Sequence, residues 1–448
     1  MQNASIVKLA QSVLFALAIG FLGFIAGTYV VFANAFPARY VTDAYRGGQA
    51  LVSKIREYNE PYPGTMWQPV RTEASGVTVY DAARSAVGPT LYTVGHEQRA
   101  VLVAPTGETL HEWHLPYSEI WDDSAAVVRP QPDSMVYYRK AHLYPNGDLL
   151  VIYEGVGDTP WGYGMAKMDK DSNLIWKYLE HTHHDFDVTD DGTIYVLTHE
   201  IDSRVIEDWK HLEPPRIDDF LVVLSPDGEE LRKISIVQAF LESPYGRMTN
   251  TVAWYSNGDF FHTNSVDLLP PGAAHWLSPE ASDQQVMLSM RELNAIGTLD
   301  LETERFSWAQ QGPWLGQHDP DLLPNGDILL FDNFGHYGPG GVSRVIEFDP
   351  VSLQIVWRYE GTDEQPFWSN VRGDQERLPN GNTLITESEG GRLLEITPDG
   401  EIVWEFVNPI RADNDKVVSI VCFGQRIDPA SLEPRFRALI EQGGKRFT

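Results

Sequence analysis

The sequence predicts an all-β protein, a six-bladed β-propeller of four-stranded antiparallel blades, preceded by one N-terminal transmembrane helix. Three observations predict it. An apolar strand, an Asn-Gly or Asp-Gly turn and a second apolar strand recur along the body. A further hairpin follows each copy, with an acidic turn and a last strand that usually ends in tryptophan. The turn glycines fall at Gly147, Gly192, Gly258, Gly326 and Gly381, a period that suits four short strands per repeat.

The N-terminus comes first. No charged residue lies between Lys8 and Arg39, and Ser12 to Phe36 is almost wholly apolar. That length crosses a bilayer as a helix and exceeds the apolar core of a cleavable signal. Residues 12–36 are expected to be a transmembrane signal anchor and residues 1–11 a short cytoplasmic tail. Ala33-Asn34-Ala35 also fits a small-x-small cleavage pattern, so cleavage at Ala35 stays open. The expected address is the cell inner membrane, with the body periplasmic. Residues 37–75 read as a juxtamembrane helix and linker. Asp43 to Tyr58 is helix-compatible, and Pro61-Tyr62-Pro63-Gly64 ends it.

The propeller is expected over residues 76–430. Its clearest first hairpins turn at Asn146-Gly147, Asn325-Gly326 and Asn380-Gly381, with looser copies at Asp191-Gly192 and Asn257-Gly258. Both residues of such a turn tolerate positive φ, which makes it a strong hairpin signal. The second hairpins end at Trp113, Trp176, Trp308, Trp357 and Trp404, and one copy ends in Arg232-Lys233 instead. These tryptophans are expected to pack between blades. Residues 90–115 supply only a second half, so the missing strands should come from the run near Val417–Ile427. A helix is expected at Leu432–Gln442, within the tail 431–448.

Composition limits the function. The formal net charge is −29, which excludes nucleic acid as a partner, since phosphate binding needs a basic surface. A site for an anion must therefore be locally basic. The lone cysteine, Cys422, forbids an intrachain disulfide and a cysteine-rich metal site, and its apolar neighbours place it in the core.

Strand direction then gathers polar residues. Call the strands of a blade A to D from the axis outward. His318 stands seven residues before Asn325 and His184 seven before Asp191, so both begin an A strand. His262 and Asn264 follow the Asn257-Gly258 turn and close a B strand. Arg291 opens the strand that runs to Asp300. All five are expected at one face near the axis. The loops Ile201–Asp218, Asp267–Gln284 and Asn333–Val342 are expected there too. Asp185 and Asp319 read as orienting partners or turn residues. Arginine offers a fixed fork of donors for oxyanions, and imidazole serves as nucleophile, acid or base. This set suits a group with several anionic oxygens attacked by nitrogen.

Here the motifs resemble a known family. His184-Asp185, His262-Thr263-Asn264-Ser265, Ser289-Met290-Arg291-Glu292-Leu293-Asn294-Ala295 and Gly316-Gln317-His318-Asp319 with Leu323-Pro324-Asn325-Gly326 are similar to motifs of the bacterial arylsulfotransferases that do not use phosphoadenosine phosphosulfate. The resemblance covers about residues 135–410. It implies a periplasmic six-bladed propeller and a ping-pong transfer of sulfate from an aryl sulfate donor to a phenolic acceptor through a sulfohistidine. Carried onto this chain, it implies that His318 is the nucleophile. Arg291, His184, His262 and Asn264 would hold the sulfuryl oxygens, with His184 or His262 as the acid. No cofactor and no metal are called for.

Three rivals stand beside this reading, one of them a quinone-cofactor dehydrogenase, which gains nothing from a histidine–arginine centre. Histidines around a propeller axis also suit a metalloenzyme, although Arg291 would repel the metal. A propeller that only binds a ligand or partner is the third. His142, His181, His183, His199 and His336 could also face the mouth, but each alone is expected at the surface or in a loop. The Trp161-Gly162-Tyr163-Gly164 segment reads either as a seat for an aromatic ring or as a turn.

Overall fold

The computed structural model describes residues 2–33, 35–38, 40–41, 44–45, 48, 52, 60–252, 258–338 and 340–443. The chain divides into two compact units, Met1–Pro63 and Gly64–Thr448.

The first unit holds a helix, Gln2–Phe32. Its stretch Gln11–Phe32 is long and apolar enough to cross a membrane, and none of that stretch is buried. The helix expected over Asp43–Tyr58 lies almost wholly outside the described residues.

The second unit is all-β. Its described residues form six antiparallel sheets of four or five strands and one small sheet of three. In the first sheet the C-terminal strand Val421–Arg426 pairs with Thr90–Val94, followed by Arg99–Val103 and Thr109–His114. The second holds Val136–Leu143, Leu149–Gly155, Gly162–Met168 and Leu174–Tyr178. The third holds Thr182–Val188, Ile194–Asp202, Arg216–Leu224 and Glu230–Ser235. The fourth holds Thr263–Leu268, Gln285–Met290, Ala295–Asp300 and Arg305–Gln311. The fifth holds His318–Leu322, Ile328–Asp332, Arg344–Phe348 and Ile355–Glu360. The sixth holds Asp374–Arg377, Thr383–Glu387, Arg392–Ile396 and Ile402–Val407, with Gly76–Tyr80 added outside. The stretch read as a linker also holds a strand, Trp67–Pro69, which pairs with Val417–Ser419.

The repeat works through its turns. Gly147 and Gly326 take φ of +92° and +91°, a left-handed conformation that costs glycine nothing. The tryptophans pin neighbours together. Trp113 Nε1 donates to Gly147 O at 3.0 Å, from the first sheet to the second. Trp176 donates to Pro226 O at 3.1 Å and Trp357 to Pro398 O at 2.9 Å, each reaching a turn of the following sheet. Trp404 of the sixth sheet donates to Pro105 O of the first at 2.8 Å. The third sheet lacks the tryptophan, and Arg232 does the same work by donating to Leu301 O at 2.5 Å.

Between sheets the apolar faces meet in buried clusters. Leu221, for example, is fully buried among residues of the third and fourth sheets. Leu221→Ala is expected to cost about 2–5 kcal/mol, read as a lower midpoint in chemical denaturation. The C-terminal helix Pro434–Gly443 buries Phe436 and Ile440, and Phe436 lies 6.1 Å from Trp113.

One expected blade is phased differently. Asn257 lies outside the described residues, and the strand after Gly258, Thr263–Leu268, pairs only with Gln285–Met290. It is therefore the A strand of the fourth sheet rather than a B strand. Its A-to-B connection is the long loop 269–284, at the end opposite the histidines. That loop packs Trp276 against the Asn325-Gly326 turn. An Asn-Gly pair marks a tight turn but does not say which strands it joins, so a sheet whose hairpin carries a long loop escapes the pattern.

Candidate active site

The innermost strands meet around an axis, and most of them break register near one end. Breaks fall between Tyr138 and Ala141, Thr182 and Phe186, Thr263 and Ser265, His318 and Asp321, and Val421 and Phe423. A bulge frees residues from the pleat and re-aims their side chains. His184, His262 and Asp319 take φ of +54°, +49° and +54° at these places. Such φ values strain a non-glycine residue, and the surrounding hydrogen bonds hold them in place.

Carboxylates fasten these irregular strands to each other. Glu154 Oε1 accepts the His184 N–H at 2.8 Å, and Asp219 Oδ2 accepts the Thr263 N–H at 2.7 Å. Asp185 Oδ2 accepts the Val266 N–H at 2.9 Å, and Asp319 Oδ2 accepts the Gln375 N–H at 3.1 Å. Backbone donors on an inner edge would otherwise be buried without partners. Asp185 also pairs with Lys140.

His318 is 1% exposed and begins the A strand of the fifth sheet. Its Nδ1 lies 2.8 Å from Asn333 Oδ1. The orientation of that amide is fixed, because Asn333 Nδ2 donates to Ser369 O at 2.6 Å and to Arg372 O at 2.9 Å. Oδ1 therefore faces His318 as an acceptor, and the imidazole proton sits on Nδ1. His318 Nε2 is left with its lone pair, buried and without a partner. Burial, then the Arg291 and Arg139 charges, hold this imidazole well below its ordinary pKa. The ring is neutral at physiological pH.

His262 is shifted the other way. Its Nδ1 lies 2.5 Å from Asp259 Oδ2. Burial works against its charge, but the Asp259 carboxylate prevails and raises the pKa. His184 stands with its ring centre 4.9 Å from that of His262. Burial, then the neighbouring His262 charge, hold its pKa well down. Arg291 sits in a short 3₁₀ turn, Arg291–Leu293, between two strands of the fourth sheet, rather than opening a strand. Its N–H donates to His262 O at 3.2 Å, and its side chain pairs with Glu292. Asn264 Nδ2 donates to Gln317 O at 2.9 Å, while its Oδ1 has no partner. The bulged A strands of the third, fourth and fifth sheets thus bring His184, His262, Asn264 and His318 together, with Arg291 beside them.

Several residues of this centre escaped the sequence reading. Arg139, from the second sheet, is 6% exposed and donates to Cys422 O at 2.9 Å. It bears on both His184 and His318. Asn333 sits in what reads as a loop. His183 and His199, expected at the surface or in loops, are each 1% exposed. The sequence leaves both open to facing the mouth, with the surface or a loop preferred. Trp161 lies across the group, its ring 5.3 Å from that of His262 and 5.8 Å from that of His184. Tyr163 belongs instead to the core.

An imidazole held well below its ordinary pKa, one raised above it and two arginines gather around one small space, an arrangement whose chemistry suits an oxyanion. A family model described as arylsulfotransferase (ASST) matches residues 140–409, more than half of the chain. The chain belongs to the arylsulfotransferase family. Among curated proteins, none matches. Solved structures similar to it include a protein of unknown function from Bacteroides caccae, at 12% identity and TM-score 0.46, covering 75% of this chain and 99% of that one. A virginiamycin B lyase from Staphylococcus aureus shares 12% identity at TM-score 0.39, covering 77% and 88%. The Dos1 propeller shares 10% at TM-score 0.36, covering 75% and 77%. Likenesses this distant bear on neither substrate nor mechanism.

Proposed function

We propose that this chain transfers a sulfuryl group from an aryl sulfate to a phenolic or other hydroxyl acceptor, in two steps through a sulfohistidine at His318. The observation that carries the reading is the bare Nε2 of His318, neutral, tautomer-fixed and set among cationic groups. In the first step Nε2 attacks sulfur and the sulfur–oxygen bond to the aryl group breaks. The departing phenolate takes a proton from His262. In the second step the acceptor hydroxyl loses its proton to His262, its oxygen attacks sulfur, and the nitrogen–sulfur bond breaks. Arg291, Arg139, His184 and Asn264 face the sulfuryl oxygens, where charge spreads in each transition state. Trp161 offers the aryl ring a stacking surface.

We infer that the architecture is a closed six-bladed propeller, each large sheet a blade. The bond from Trp404 back to the first sheet and the C-terminal strand inserted there support closure. The N-terminal helix is proposed to anchor the enzyme in the inner membrane with residues 76–430 in the periplasm.

The test is nitrophenolate release from p-nitrophenyl sulfate. Release that depends on added phenol supports transfer, and release that ignores every acceptor overturns it. The acid role adds a pH test. Asp259 raises the pKa of His262, so the acid form persists to higher pH and is lost as pH rises through that value. Asp259→Asn is expected to move the alkaline limb of the kcat profile to lower pH. An unmoved limb would remove His262 from the acid role.

A further inference from the structure

We propose that His183, His199 and Asp219 form a site for a divalent transition-metal ion, zinc by preference, beside the sulfuryl pocket and separate from it. The three side chains each offer a ligand atom, and these atoms all lie within 4.8 Å of one another. All three residues are 1% exposed.

The unpaired atoms point to the ion. His183 Nε2 and His199 Nδ1 are buried without a hydrogen-bond partner. His183 Nε2 lies 3.6 Å from Asp219 Oδ1. That is too long for a hydrogen bond but near the ~3.3 Å that separates two ligands of one tetrahedral zinc. The far side of each of these two groups is already tied. Asp219 Oδ2 accepts the Thr263 N–H at 2.7 Å, and His183 Nδ1 meets His184 Nδ1 at 2.7 Å. Both are therefore oriented, with the remaining atom turned to the common space. His199 stacks on His183 at 4.3 Å between ring centres. Its Nε2 has the Gly162 N–H at 3.4 Å, a long contact, and binding through Nδ1 turns the ring slightly away from it.

Two imidazoles and one carboxylate suit zinc, which accepts nitrogen and oxygen ligands and leaves a fourth position for water. A second carboxylate, the partly exposed Asp259, stands near and adds negative potential. The ion also acts on its neighbour. With zinc on Nε2, His183 carries its proton on Nδ1 and donates it to His184 Nδ1. His184 must then be protonated on Nε2, the nitrogen left to donate into the pocket. This last coupling rests on the sulfotransferase reading, whereas the ion site does not.

The test uses the full chain in detergent, stripped with a chelator and then equilibrated with zinc. Elemental analysis should find about one zinc per chain, and cobalt in its place should give the intense visible bands of a four-coordinate site. His199→Gln and Asp219→Asn should each weaken zinc binding about tenfold or more, while the exposed His275→Gln should not. Circular dichroism checks that each variant folds, and the cobalt spectrum of the wild type decides the matter if one does not. A wild type that takes up no zinc and shows no cobalt bands overturns the site. So does zinc binding that both folded variants retain.

Discussion

His318→Ala is expected to lower kcat for nitrophenyl sulfate by about 10⁴-fold or more, because it removes the only proposed nucleophile. The fold should tolerate it. His318 begins its strand at a register break, and its ladder partner Phe331 keeps its own bonds to Val345. The loss should therefore appear in turnover without a matching loss of thermal stability. A second readout separates the role from mere contact. The wild type, quenched with donor and without acceptor, should carry one extra sulfuryl group on the peptide containing residue 318. Persisting activity in the variant would sink the assignment, as would a sulfuryl group found on another histidine.

Arg291→Ala is the next largest, with an expected fall in kcat of about 10²–10³-fold and a smaller change in KM. In the proposed mechanism the guanidinium faces oxygens whose charge grows as sulfur changes partners, so its effect is larger in the transition state than in the bound ester. Arg291→Lys should recover only part of the loss, since an ammonium cannot present the same planar fork. The short turn that carries Arg291 is held by its own backbone bonds to Phe261 and His262, so the variant should fold. An equal fall in kcat/KM with kcat unchanged would make Arg291 a simple binding group.

Much of this was legible in the sequence, for a physical reason. Tight turns need residues that accept positive φ, so Asn146-Gly147 and Asn325-Gly326 announce their hairpins, and strand direction follows. That placed His184 and His318 at one end of their strands. What stayed hidden depends on irregular backbone. Arg139 reaches the centre because its strand breaks register between Tyr138 and Ala141. A strict alternation of faces cannot show that. Asn333 lies past the end of a strand and is set by contacts with Ser369 and Arg372, far away in sequence. His262 and Asn264 were placed at the correct end through an incorrect strand assignment, because inner and second strands of neighbouring sheets share that end.

A tier of carboxyl side chains lies beneath the histidines. Asp185, Asp319, Asp321 and Asp374 crowd the axis there, with Lys140 and Arg139 both bearing on three of them. Burial and the neighbouring carboxyls raise the pKa of Asp319, Asp321 and Asp374, so this tier does not present the full charge of its carboxyls. The partly exposed His262 and Arg291 mark the other side. In the proposed mechanism donor, departing phenol and acceptor share the approach beside His262 and Arg291, and traffic through it is serial. Each phenol must leave before the next enters, so an excess of donor should slow turnover by holding the entrance against the acceptor.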